Sequence, residues 1–154
     1  MTAGPNPSSR GVVRMAFALL GLLLVQVLLG TATNLYVTIP TNLAPGAVWP
    51  WVFTNAPLLA AHAVMALLIL ATSIGVVVAA RRSPGSGAVS LAWLTLIGAV
   101  AALISGGVFL FFGQNNGFSL GMEAGFAVCI GATAALLYTL GTRERTARAG
   151  PSAP

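Results

Sequence analysis

The sequence predicts an all-α integral membrane fold: a bundle of four transmembrane helices arranged as two antiparallel hairpins, with both termini on the cytoplasmic side. Three observations carry this expectation. Of the 154 residues, 57% are hydrophobic and 6% charged, and the mean hydropathy is +0.93, so a water-facing surface of ordinary charge density cannot be built from this chain. Four apolar stretches, about 12–30, 57–80, 90–112 and 119–140, match the roughly 20 residues that a hydrocarbon core of ~30 Å demands of a helix. The arginines, finally, are confined to one side. Arg10 and Arg14 precede the first span, Arg81 and Arg82 follow the second, and Arg143, Arg145 and Arg148 follow the fourth. Because basic residues are retained on the cytoplasmic face, this pattern places both termini and the second connection inside.

Taken in order, residues 1–10 ("MTAGPNPSSR") are Pro- and Ser-rich and read as a disordered cytoplasmic tail. Residues 11–141 form the transmembrane domain and 142–154 a second cytoplasmic tail expected to fray. The first span carries one interior polar residue, Gln26. Its basic start, apolar run and small-residue end also fit a signal peptide cleaved after Ala32. The run exceeds the usual signal length, however, and retaining it gives an even number of spans. The first connection, 31–56, holds no charge but contains Tyr36, Trp49, Trp51 and Phe53 beside Pro40, Pro45 and Pro50, so it is expected to lie against the outer membrane interface. "RRSPGSGAV" and "GQNNGFS" read as short turns.

The net charge of +5 does not mark a nucleic-acid binder, because the arginines flank spans; contacts with anionic headgroups are the reading that fits. Lysine is absent while Ala, Gly and Arg are abundant, a composition that points to a GC-rich bacterial genome and hence to the plasma membrane of a bacterium. The single cysteine, Cys129, excludes an internal disulfide and a CxxC redox centre. Small residues at four-residue spacing mark close helix packing in lipid. Gly98, Ala102 and Gly106 in the third span and Gly121 and Gly125 in the fourth are expected to face one another or a partner subunit.

Polar residues concentrate at one depth. His62, the one histidine, lies 19 residues before Arg81, about 28 Å along a helix, and Glu123 lies 20 before Arg143, about 30 Å. Gln114, Asn115 and Asn116 share that outer level, and Gln26 is slightly deeper. Intramembrane ionisable groups face a partner or water. Three readings compete for this layer. His62 could ligate haem iron, or help to bind a quinone, in an outward-facing pocket. His62 and Glu123 could form a proton relay in a small carrier. Or the layer could fix packing in a non-catalytic accessory or structural subunit, with His62 a neutral imidazole bonded to Gln26, Glu123 or a carbonyl of the first connection. The third needs no further residues. Classical catalysis lacks its parts: there is no second His or Cys, no Asp and no Walker loop.

The order "VQVLLGTATN", an uncharged connection, then "PLLAAHAVMALLILATS" resembles the helix-loop-helix unit of haem A synthase-type four-helix haem proteins, over the first two spans only. The resemblance implies that His62 would correspond to an axial haem ligand. The fourth span, with "LGMEAGFAV", lacks the matching histidine, so a bis-histidine haem within one chain does not follow. The pattern as a whole is similar to small four-span membrane proteins of actinobacteria, a likeness that implies the architecture and no active residue. The expected partners are the lipid bilayer and either another membrane subunit or further copies of this chain, with no nucleic acid.

Overall fold

The computed structural model describes residues 7–82, 86–112 and 114–149. Its regular elements are all helical: α1 (Pro7–Tyr36), a 3-10 turn (Pro45–Ala47), α2 (Val48–Asn55), α3 (Pro57–Arg81), α4 (Ser86–Phe111) and α5 (Asn116–Ala149). Stretches of α1, α3, α4 and α5, 25–28 residues long, are long and apolar enough to cross a membrane. In each, only 17–28% of the most apolar window is buried inside the bundle. The apolar surface is therefore turned outward, the opposite of what a helix in water does with it.

The long helices pack as a ring in the order α1, α3, α4, α5, with α4 on α5 the most extensive contact. The neighbours run antiparallel. Gly30, late in α1, lies on His62, early in α3, while Gly75, late in α3, lies on Met15, early in α1. Likewise Gly121 of α5 meets Ser105 of α4, and Gly87 of α4 approaches Arg143 of α5.

The core is a set of seams spaced three and four residues apart, the signature of one face turned continuously inward. In α1 the seam is Val12, Ala16, Leu19, Leu23 and Gln26; in α3 it includes Ile69, Ser73, Val76 and Ala80. The seam of α4 is made of small residues, Ala88, Ala92, Thr95 and Ala99, which bring α4 close to Cys129, Thr133 and Leu136 of α5. A second, smaller core closes the end of the bundle away from the arginines: Val48 and Val52 of α2 with Ala56 and Leu59, packed against Ile39, Leu43 and Leu110.

Three elements exceed or depart from the expected bounds. Helix α1 begins at Pro7 and continues to Tyr36, taking in part of both the first tail and the first connection. Helix α5 runs on to Ala149, past the expected end of the span at 140, because its continuation is rich in Ala and Arg, both good helix formers. The remainder of the first connection is folded: α2 forms despite Pro50, which sits in its first turn, where a missing N–H leaves no bond unmade. The expectations for residues 1–6, for the turn at 83–85 and for 150–154 lie outside the described residues.

Pro57 sets the joint between α2 and α3. It occupies the first position of α3 and holds Ala56 out of helical conformation, at φ −133° and ψ 65°. The Ala56 N–H still closes α2 on the Val52 carbonyl, 3.1 Å away. One residue thus separates two helices.

Candidate functional site

The polar part of the bundle lies where the α1 seam changes character. After Leu23 the same face presents Gln26, Gly30 and Thr33, each a helical turn apart. His62 of α3 lies across from them. The Gln26 side chain is 6% exposed, and its Nε2 donates to the His62 backbone carbonyl at 3.2 Å and lies 3.3 Å from the ring Nε2. Gly30 makes room for the ring: a Cβ placed there would stand 3.0 Å from His62 Cε1 and 3.5 Å from Nδ1.

Those contacts assign the tautomer. The amide nitrogen must be the group facing the His62 carbonyl, because the reversed amide would set two oxygens 3.2 Å apart. The same nitrogen, a donor with two protons, then meets the ring Nε2, which must accept. The imidazole proton is left on Nδ1.

The other members of the expected layer go elsewhere. Gln114 Nε2 donates to the Ile39 carbonyl at 3.0 Å, tying the α4–α5 connection to the first connection. Gln114 does so with φ at +57°, a left-handed conformation that favours glycine. Asn115 caps α5: its Oδ1 accepts from the Gly117 N–H at 2.8 Å. Glu123 is exposed on the outer surface of α5 and does not meet His62. It stands two residues from the buried Gly125, about 200° around the helix. A relay from His62 to Glu123 is therefore not formed.

Deeper in the bundle four hydroxyls return to their own helices. Thr72, Ser73 and Thr133 donate to the carbonyls four residues back at 2.7–2.8 Å, and Thr95 does so at 3.0 Å. Thr95 and Thr133 also meet across α4 and α5, oxygen to oxygen at 3.5 Å. The small residues of those helices form the tightest crossing. A Cβ on Gly98 would fall 2.7 Å from the Gly125 carbonyl oxygen, and one on Gly125 2.7 Å from the Ala102 nitrogen. Gly106 lies against Met122.

No family model, curated protein or solved structure matches the chain. The site is consequently read from its own chemistry.

Haem does not fit the ring as it is held. Nδ1 is buried, Nε2 is engaged by Gln26, and Cε1 rests on Gly30, so neither nitrogen faces a space in which a porphyrin could lie. Among the described residues no three His, Cys, Asp or Glu side chains gather as a metal site. What the arrangement does offer is a polar bolt between α1 and α3, built of one amide and one imidazole inside an apolar bundle. Gly30 was not expected as a member. Its signal was the three-and-four spacing that continues the α1 seam beyond Gln26.

Proposed function

We propose that the chain is a multi-pass protein of the bacterial plasma membrane, with both termini cytoplasmic, acting as a non-catalytic accessory or structural component of a membrane complex. The observation that carries this reading is the division of the surface. Gln26, Thr72, Ser73, Thr95 and Thr133 bond their own helix or a neighbouring one, while Leu24, Leu28, Leu67, Ile97 and Ile104 turn outward at 56–70% exposure. Such an outer surface suits lipid and neighbouring helices. The arginines collect at one end, where Arg81 also stacks over Trp93, 5.1 Å from the ring centroid, and this supports a cytoplasmic placement for that end. The opposite end carries Trp49, which packs at 6.0 Å on Phe53 and at 6.3 Å on Phe111, a composition suited to the outer headgroup level.

The test places a photo-crosslinking amino acid at Ile104 of α4 and at Gly131 of α5, both outward-facing, in cells that make the protein at native level. An accessory subunit gives a protein adduct of one defined mass from one of the two faces. Adducts with lipid alone from both faces would overturn the reading. So would a Soret band in the purified protein that His62→Ala abolishes, since that would make the polar bolt a haem site.

A further inference from the structure

The outward faces of α4 and α5 differ in kind. On α4 the face is built of large side chains, Trp93, Leu94, Ile97 and Ile104, 38–60% exposed. On α5, Ala127, Ala134 and Gly141 are exposed and recur every seven residues, so they line up along one side of the helix. The result is a shallow trough. It ends in a notch of about 190 Å³ lined by Leu137, Tyr138, Gly141, Thr142 and Arg145, far more than the ~10–15 Å³ that admits one water. The floor is open at Gly141, where nothing lies within 4 Å of a Cβ.

The apolar stretch of α5 ends at Arg143, and the notch straddles that boundary. Leu137, packed against the core, forms its apolar side, while Arg145, exposed, stands beyond the boundary. Arg145 follows Tyr138 by two turns, about 10 Å, on the same face. Helical side chains lean toward the N-terminus of their helix, which carries the guanidinium back toward Gly141. From this geometry we propose that the notch and trough hold one anionic phospholipid of the cytoplasmic leaflet, its phosphate at Arg145 and Tyr138 and an acyl chain along Gly141, Ala134 and Ala127. The guanidinium presents a fork of N–H donors matched to phosphate, and the phenol of Tyr138, a residue 75% exposed, adds an O–H donor. Thr142 has already given its hydroxyl proton to the Thr139 carbonyl at 3.0 Å, which leaves its oxygen to accept from a headgroup hydroxyl. Charge favours the same occupant: all seven arginines flank the cytoplasmic ends of the spans, against one of the two acids, Glu144. The site rests on the membrane placement and orientation proposed above and not on the accessory role. With lipid seated on α5, a partner subunit would meet the α4 face.

The test titrates the full-length protein in mild detergent with phosphatidylglycerol, whose headgroup carries hydroxyls, or with phosphatidylcholine, and counts bound lipids by native mass spectrometry. The first phosphatidylglycerol is expected to bind more tightly than the first phosphatidylcholine, and Arg145→Gln to weaken it roughly fivefold. Gly141→Leu keeps every charge and disturbs no neighbour, yet fills the notch, so it should weaken that lipid too. Arg82→Gln removes an exposed charge at the same end but outside the notch, and should cost less than Arg145→Gln. A wild-type protein that does not distinguish the two lipids would overturn the proposal. So would equal losses from Arg82→Gln and Arg145→Gln with none from Gly141→Leu, because the attraction would then be diffuse. Displacement of the bound lipid by water-soluble glycerol phosphate would overturn it as well, by showing that no acyl chain is held. None of these outcomes changes what a crosslinker at Ile104 captures, so this site and the accessory role fail separately.

Discussion

At Gln114 two demands meet in one residue. Its backbone adopts φ +57°, which costs a non-glycine residue about 1 kcal/mol or more, and its side chain bonds the Ile39 carbonyl at 3.0 Å. The two can be separated. Gln114→Gly relieves the backbone and removes the bond, whereas Gln114→Ala keeps the strain and also loses the bond. Unfolding in detergent should therefore rank wild type and the glycine variant within about 1 kcal/mol of each other, with the alanine variant lowest. An alanine variant as stable as the glycine variant would mean that the left-handed conformation is not retained. The same scale governs Gln26, whose interhelical bonds should contribute about 0.6 to 1.7 kcal/mol. Gln26→Leu is expected to lower stability within that range, read from the same unfolding experiment. Part of the polar layer was legible in the residues alone: Gln26 was among the partners named for His62, and the two do meet. The direction of Glu123 was missed although its helical phase was available, because depth was weighed and azimuth was not. That Gln114 and Asn115 lie in a turn was read from "GQNNGFS"; the partners their side chains take there were not legible, since an amide at a helix end can cap or cross-link until the chain's path is known.

Among the elements, the α4–α5 crossing gives the sharpest contrast. Gly98→Ala would drive a methyl group to 2.7 Å from the Gly125 carbonyl oxygen and 2.8 Å from the Cys129 nitrogen, both backbone atoms that cannot step aside. The expected loss is about 1–3 kcal/mol as the helices are pushed apart. Gly131 is on the same helix pair but nothing lies within 4 Å of its Cβ position, so Gly131→Ala should gain up to about 1 kcal/mol from helix propensity. Equal effects from the two substitutions would show that the crossing is looser than drawn. The four long helices were readable because length and hydropathy suffice to define a span. Helix α2 was not, because three prolines and four aromatic residues in the first connection suggested an irregular interfacial segment. What makes it a helix is tertiary: Val48 and Val52 find Leu59 and Leu110 beneath them, and Pro50 falls by register in the one turn that tolerates it.

On the scale of the whole molecule, the prediction concerns orientation. In a Cys129→Ala background, a membrane-impermeant thiol reagent added to intact cells should label Thr41→Cys, exposed in the first connection, and not Thr146→Cys, exposed near the end of α5. The reverse pattern would invert the bundle and with it the meaning of the arginines. The two halves of the ring also differ in kind. Gly98, Ala102 and Gly125 bring α4 and α5 together almost backbone to backbone. Such residues have no rotamers to lose on assembly. The facing pair α1 and α3 closes instead with Leu19, Leu23, Met15 and Met65, side chains with several torsions each and, in methionine, a pliant thioether. The bundle therefore joins a stiff hairpin to a compliant one, and thermal motion between helices should concentrate at the α1–α3 seam, where the imidazole sits.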